Sequence, residues 1–253
     1  MTGREWRLDP RDAAPQRVLP LVVRVERADP PARTDALEAA AVAVLTLLTD
    51  PRSLPPPQGA GGPAADAGPE EPDGGSARPG EWAAAVREWA DARIRKVVRR
   101  ARGAEWRRAE ALPGITVAHR TAQVRVFPPV PLDGWPRDLA RLQVSGTELA
   151  DPAAPPPPAL GVPVLWLNPH LELTAGKAMA QVGHAAQLGW YALVPADRDR
   201  WRALGFPLAV RTAPPGRWDA LLRAGLPLVR DAGFTEIAAG TCTAVADHPA
   251  LRR

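Results

Sequence analysis

Residues 162–192 read VPVLWLNPHLELTAGKAMAQVGHAAQLGWYA, and this stretch decides the fold. Its first six residues form a short apolar run suited to a buried strand. Thr174 is suited to cap a following helix, because a threonine hydroxyl accepts from an unpaired N–H of the first turn. Residues 175–193 are rich in alanine, with small or apolar side chains along one side, and read as that helix. Strand, loop and helix in this order open an α/β unit.

Downstream the alternation continues. A second short helix is expected over 196–204, a strand over 207–212 (PLAVRT) and a helix over 216–224 (GRWDALLRA), with Gly225 as its stop. Residues 226–230 and 241–246 supply two further strands. This order predicts an α/β fold: a mixed four-stranded sheet with helices on both faces. Upstream, the same order returns in blurred form. LPLVVRV (19–25) reads as a strand and 34–48 as an apolar helix behind Thr34. Residues 80–120 then align with 189–231: a tryptophan helix, a basic strand, a second tryptophan helix near Glu105 or Arg217, and a strand led by Leu-Pro. QVRVF (123–127) matches the last strand, so the chain is expected to be a tandem pseudo-dimer of two such units.

Proline marks the joints. The chain has 31 prolines in 253 residues, clustered in a Pro/Gly-rich insert at 51–80 and in DPAAPPPPA at 151–159. The insert is too poor in apolar side chains to order itself, and the second run is an extended spacer. The expected division is a degenerate N-terminal copy over 1–150, a linker over 151–160 and a C-terminal domain over 161–253.

The net charge of +4 favours an anionic partner modestly. Of 32 basic residues only Lys96 and Lys177 are lysines, leaving 30 arginines, so each lysine invites a question. The single cysteine, Cys242, excludes an intrachain disulfide and reads as a small buried residue. The N-terminus has no apolar signal segment, and the most apolar stretch, 36–48, is short of the ~20 residues that span a bilayer, so a cytoplasmic protein without membrane contact is expected.

The chemistry concentrates in GKAMAQVGHAA (176–186). Lys177, Gln181 and His184 stand at i, i+4 and i+7 of the helix and share one face. Three polar groups among alanines look like the wall of a site. A phosphate-binding loop is excluded, because Leu171 and Ala178 stand where its first glycine and its Ser/Thr belong. His119, His170 and His248 have no carboxylate or cysteine at ligand spacing, so no metal is expected. The basic run 93–108 is a solvated face by default, with phosphate contact as the alternative.

Residues 176–186 resemble the first helix of the archaeal/eukaryotic-type (class II) peptidyl-tRNA hydrolases. A second segment, LVRDAGFTEIAAGTCT (228–243), is similar to the family's Asp-Ala-Gly-x-Thr-x-Ile-Ala-x-Gly pattern, matching at Asp231, Ala232, Gly233, Thr235, Ile237, Ala238, Gly240 and Thr243. The likeness spans about 162–248. It departs at Phe234, where the family has Arg, and at Ala239, where it has Pro. What the resemblance implies is hydrolysis of the ester joining a peptidyl or N-blocked aminoacyl group to the tRNA 3′ end. In that reading Asp231 and His184 activate water, His184 relaying a proton. Lys177 stabilises an oxyanion or phosphate beside the helix's own N–H groups, and Thr235 and Thr243 donate hydrogen bonds. Gly176, Gln181 and Gly240 contact substrate. No cofactor is implied, and tRNA is the partner. The chain is expected to be a monomer with an internal pseudo-dimer, with a homodimer as the alternative. In the N-terminal copy Asp35, Ala39 and Val42 replace Lys177, Gln181 and His184, and that half is expected to be non-catalytic. The competing readings are a binding module for RNA or protein without turnover, favoured by Phe234, and another ester or amide hydrolase using the same Lys/His/Asp set.

Overall fold

The computed structural model describes residues 15–56, 78–231 and 237–252. Their N-terminal half runs β1 (Arg17–Arg24), α1 (Arg33–Thr49), α2 (Ala83–Asp91), β2 (Arg95–Ala101), α3 (Gly103–Glu110), β3 (Ile115–His119), β4 (Ala122–Val126), a short β5 (Val130–Pro131) and α4 (Arg137–Ala140). The C-terminal half runs β6 (Val164–Leu167), α5 (Ala175–Ala192), α6 (Pro195–Ala203), β7 (Ala209–Thr212), α7 (Pro215–Arg223), β8 (Leu228–Arg230) and β9 (Cys242–Asp247). The fold is α/β, with two mixed sheets of the same design.

The strand orders are β2-β1-β4-β3 and β7-β6-β9-β8, the same path in both halves. Within each, the first two strands pair in parallel and the other pairings are antiparallel. The N-terminal sheet alone adds β5, at the end of β1. A finer detail supports duplication. Trp89 of α2 donates its indole N–H to the carbonyl of Arg95, and Trp201 of α6 to that of Pro207, each six residues on. Between them Ile94 and Phe206 both take positive φ, 45° and 59°. A left-handed residue with a bulky side chain costs about 1–2 kcal/mol. The same strained corner, locked by the same indole bond, stands at the same place in both units.

Helices α1 and α5 pack against each other between the two sheets, in one central core. This explains their composition: α1 is buried almost all round, as a helix enclosed on every side requires. Close approach sets one residue. A Cβ added at Gly183 would lie 3.1 Å from the Val44 methyl and 3.2 Å from Lys96 Cδ, so glycine lets the units meet. The outer faces carry separate layers. Trp106, Ala109 and Leu139 of α3 and α4 cover one sheet, and Trp218 and Leu221 of α7 cover the other together with Cys242.

The connecting segment is built into the structure rather than spacing it. Expected as the cap of α1, Thr34 instead lies inside that helix, which starts at Arg33. Its N–H and hydroxyl both donate to the Asp151 carboxylate, each at 2.7 Å, so the linker supplies the cap. Arg99 donates to the carbonyls of Ala140 and Leu142, and Arg100 to that of Ser145 and to the Gln143 side chain. These arginines of the basic run fasten the segment 140–145, which leads toward the linker, rather than form a merely solvated face. The insert is likewise closed at its base. Gly80 and Trp82 donate backbone N–H groups to Pro51 and Arg52, and the Arg52 guanidinium lies 3.7 Å from the Trp82 ring centre. Residues 51–56 and 78–80 therefore belong to the fold, and 57–77 lie outside the described residues.

Among the described residues no helix is long and apolar enough to cross a membrane.

Candidate functional site

The two segments that carry the sequence resemblance meet in space. Helix α5 brings Gln181 between β8 and β9, where Thr243 Oγ1 donates to Gln181 Oε1 at 2.7 Å and Gln181 Nε2 donates to Asp231 Oδ2 at 3.3 Å. Both ends of the amide are used, which sets its orientation. A bulge makes this possible. Val229 pairs with Ala244 and Arg230 with Cys242, so Thr243 is the extra residue on β9. Strict alternation would place Thr243 and Ala244 on opposite faces, yet Thr243 bonds to α5 while Ala244 packs in the same central core. Thr243 is fully buried and Asp231 is partly exposed at the strand end, so the chain of bonds leads from the core to the surface.

Gly240 closes the loop that Asp231 opens. Its N–H donates to the Asp231 carbonyl at 2.8 Å, the Asp231 N–H donates to Thr241, and Arg230 donates to the Gly240 carbonyl. The φ of +84° is glycine's own region. Gly240 thus has a loop-closing part here. Thr235, with Ala232, Gly233 and Phe234, lies outside the described residues.

Lys177 sits in the first turn of α5, half-buried. The helix N-terminus beside it is not the open donor cluster expected from sequence. Thr174 caps it as expected, accepting from the Lys177 N–H at 3.3 Å, but Thr147, ahead of the linker, closes the rest. The Ala175 and Gly176 N–H groups donate to the Thr147 carbonyl and hydroxyl, and Ala178 to the Thr174 carbonyl. With these donors taken, Gly176 is a packing position rather than an anion cradle. A Cβ there would fall 2.7 Å from Thr147 Oγ1, in a buried spot. Gly176→Ala is therefore expected to destabilise the protein by about 1–3 kcal/mol, read as a lower midpoint in urea unfolding. An unchanged midpoint would show that Thr147 yields freely.

His184 turns to a different neighbour from the one expected. Its Nδ1 lies 3.1 Å from the Nζ of Lys96, which reaches across from β2 of the N-terminal half. Lys96 Nζ also donates to Gln187 Oε1 at 2.6 Å and to the Ile94 carbonyl at 3.4 Å, and sits 4.7 Å from the Trp89 ring centre. Gln187 Nε2 in turn donates to the Tyr191 hydroxyl. Although part of the His184 ring reaches the surface, the packing around it pushes its pKa well below the ordinary value, and the Lys96 charge adds to this. The Asp231–His184 pairing thus gives way to two clusters on α5, Gln181 with Asp231 and Thr243, and His184 with Lys96. Lys96 is the residue that sequence motifs miss. Its one signal is that it is one of only two lysines in the chain.

A third cluster joins the halves. Glu38 of α1 accepts from the Val210 N–H at 3.1 Å and Arg211 Nη1 at 2.8 Å through one oxygen, and meets His119 Nε2 at 3.0 Å through the other. Asp35 accepts from Thr121 and Arg120. His119 therefore does have carboxylate partners, brought by tertiary structure rather than by spacing. Atoms of Asp35, Glu38 and His119 lie within 4.8 Å of one another, the one such grouping among the described residues. Two guanidinium groups already engage these oxygens, so the cluster is an ion-pair network unfitted to a cation.

Two surface clefts lie apart from these clusters, one along Glu26 and Gly103–Glu105, the other along Trp201, Leu204 and His248. No protein-family model matches the chain, and no curated protein shows significant similarity to it.

Proposed function

We propose that the protein hydrolyses an ester between a peptidyl or N-blocked aminoacyl group and the 3′ end of tRNA, with the Asp231 carboxylate at the centre of its site. The observation that supports this reading most is the Thr243–Gln181–Asp231 chain of hydrogen bonds, which unites two segments fifty residues apart that each resemble the same hydrolase family. In the proposed reaction Asp231 takes a proton from water as the water oxygen bonds to the ester carbonyl carbon. The bond to the ribose 3′ oxygen then breaks, and that oxygen takes up a proton, leaving a free carboxylic acid and a tRNA 3′-hydroxyl. A carboxylate set at a strand end and held by a fixed amide suits this task. Lys177, the cation on the same helix one turn before Gln181, offers positive charge to the oxyanion or to the terminal phosphate. No cofactor is part of this scheme.

One observation favours a second reading, a binding module for RNA or a protein partner. Thr243 and Gln181 are deeply buried, so their bonds also serve as a core staple. Release of a labelled N-acetyl-aminoacyl group from tRNA by the full chain decides between them. Release by the wild type that disappears in Asp231→Asn and Lys177→Met is expected. Binding of tRNA without release would favour the second reading, and release surviving in both variants would sink the site.

A further inference from the structure

Lys96 is an unusual residue in an unusual place. It is 7% exposed, and its ammonium group lies among the Gln187 Oε1, the Ile94 carbonyl, the His184 Nδ1 and the Trp89 ring, none of them a carboxylate. An ammonium so enclosed costs several kcal/mol unless its protons are all placed. Here three protons face three acceptors. Since Gln187 directs its own N–H toward Tyr191, its oxygen is the end that faces Lys96. Burial pushes the Lys96 pKa well below its ordinary value, and the three acceptors around Nζ are what favour the ammonium. Facing an ammonium, His184 presents a lone pair at Nδ1, which puts the ring proton on Nε2, whereas a neutral amine would accept from Nδ1–H.

The duplication shows that the fold does not need this arrangement. Lys96 follows Trp89 by seven residues, and Leu208 follows Trp201 by seven, so leucine occupies the equivalent place in the other unit, one residue before β7. Val42 of α1 stands where His184 stands in α5. One pseudo-symmetric position is thus an apolar pair, as a core prefers, and the other is Lys96 with His184. Lysine is also chosen here in a chain that otherwise writes its cations as arginine.

We propose that Lys96 is a positioning residue supplied by the N-terminal half, holding His184 neutral with its proton on Nε2, so that His184 offers a fixed N–H donor, rather than a base, on the α5 face that carries Gln181 one turn away. The N-terminal half thereby acts on the helix that bears the site, although it carries none of the motif residues. The catalytic part of this inference rests on the hydrolase reading above; the state of the ring does not.

Long-range nitrogen–proton NMR on the full chain, labelled with ¹⁵N-histidine, reads the state of His184 directly. Its signals are assigned by their loss in His184→Gln, which separates them from His119, His170 and His248. The wild type is expected to show one tautomer, protonated at Nε2, unchanged between about pH 5.5 and 8. In Lys96→Met the ring should become a mixture of tautomers or titrate within that range. Methionine fills the buried slot but leaves the Gln187 oxygen without its donor, so the unfolding midpoint is measured alongside, and a fall in hydrolysis of about tenfold to a hundredfold in protein that is still folded would reflect positioning and not unfolding. An identical His184 spectrum in the variant would overturn the proposal, and an altered spectrum with unchanged hydrolysis would overturn its catalytic part. Absence of hydrolysis by the wild type, with the tautomer held as described, would sink the hydrolase reading and leave the Lys96 lock standing.

Discussion

Asp231→Asn is expected to lower hydrolysis of N-acetyl-aminoacyl-tRNA by about 10²–10⁴-fold, the range for removing a positioned general base. The fall should appear in kcat, with KM and unfolding midpoint little changed. The physical reason lies in the isosteric side chain. Asparagine keeps an oxygen that can accept from Gln181 Nε2, so the bond at 3.3 Å and the loop closed by Gly240 both survive. It loses the negative charge and with it the ability to take a proton. Asp231 as a mere turn former makes the opposite forecast, because asparagine is an equally good turn residue. Full activity in Asp231→Asn would therefore remove the residue from the chemistry, and equal losses in stability and rate would mark it as structural.

Glu38→Ala is expected to cost about 3–5 kcal/mol of stability, because it strips the shared carboxylate from a buried network. Glu38 is 1% exposed and ties α1 to the Val210 N–H and Arg211 of the C-terminal sheet and to His119 of its own sheet. Without it the Val210 N–H loses its acceptor, and the half-buried Arg211 guanidinium keeps only the Pro156 and Val210 carbonyls and loses its counter-charge. Calorimetry should show the lower transition temperature, by about 2–4 °C per kcal/mol at this size. A change within about 0.5 kcal/mol would show that the halves do not depend on this contact.

The same residue fixes a pH dependence. Burial pushes the Glu38 carboxyl up, but the hydrogen bonds from His119, from the Val210 N–H and from Arg211 outweigh it and hold the group below its ordinary value. A carboxyl lowered by folding stabilises the native state above its unfolded value of about 4.3, and that contribution fades as pH falls through the folded value. The gap between wild type and Glu38→Gln should therefore be full at pH 7 and shrink below about pH 4. A gap that stays constant down to pH 3 would mean that the carboxylate charge is not what stabilises the contact.

Much of the architecture is legible from local chemistry. Periodicity, the Thr174 cap and the stop at Gly225 locate the C-terminal elements to within a residue or two of their observed bounds. Even the blurred N-terminal copy is readable, because the order of strands and tryptophan helices outlasts residue identity. The matched indole bonds of Trp89 and Trp201 give that order its physical basis. Motif spacing also places Lys177, Gln181 and His184 on one face of α5, as i, i+4 and i+7 must be.

What spacing alone does not decide is which of those groups meet. Sharing a helix face leaves each side chain's partner to the elements packed above it, and these come from distant sequence. Gln181 meets Asp231 and Thr243 because a bulge at Thr243 turns the hydroxyl toward α5, and a bulge breaks the period-two pattern on which strand reading depends. His184 meets Lys96, 88 residues away, because the two units pack helix to helix at Gly183. Gly176 answers to Thr147, ahead of the linker, and His119 finds the Glu38 carboxylate on α1. The sequence by itself therefore determined the two α/β units and the polar residues of α5. Only the tertiary structure divided those residues into an Asp231 cluster and a Lys96 cluster, because hydrogen bonds between distant elements depend on how the units dock.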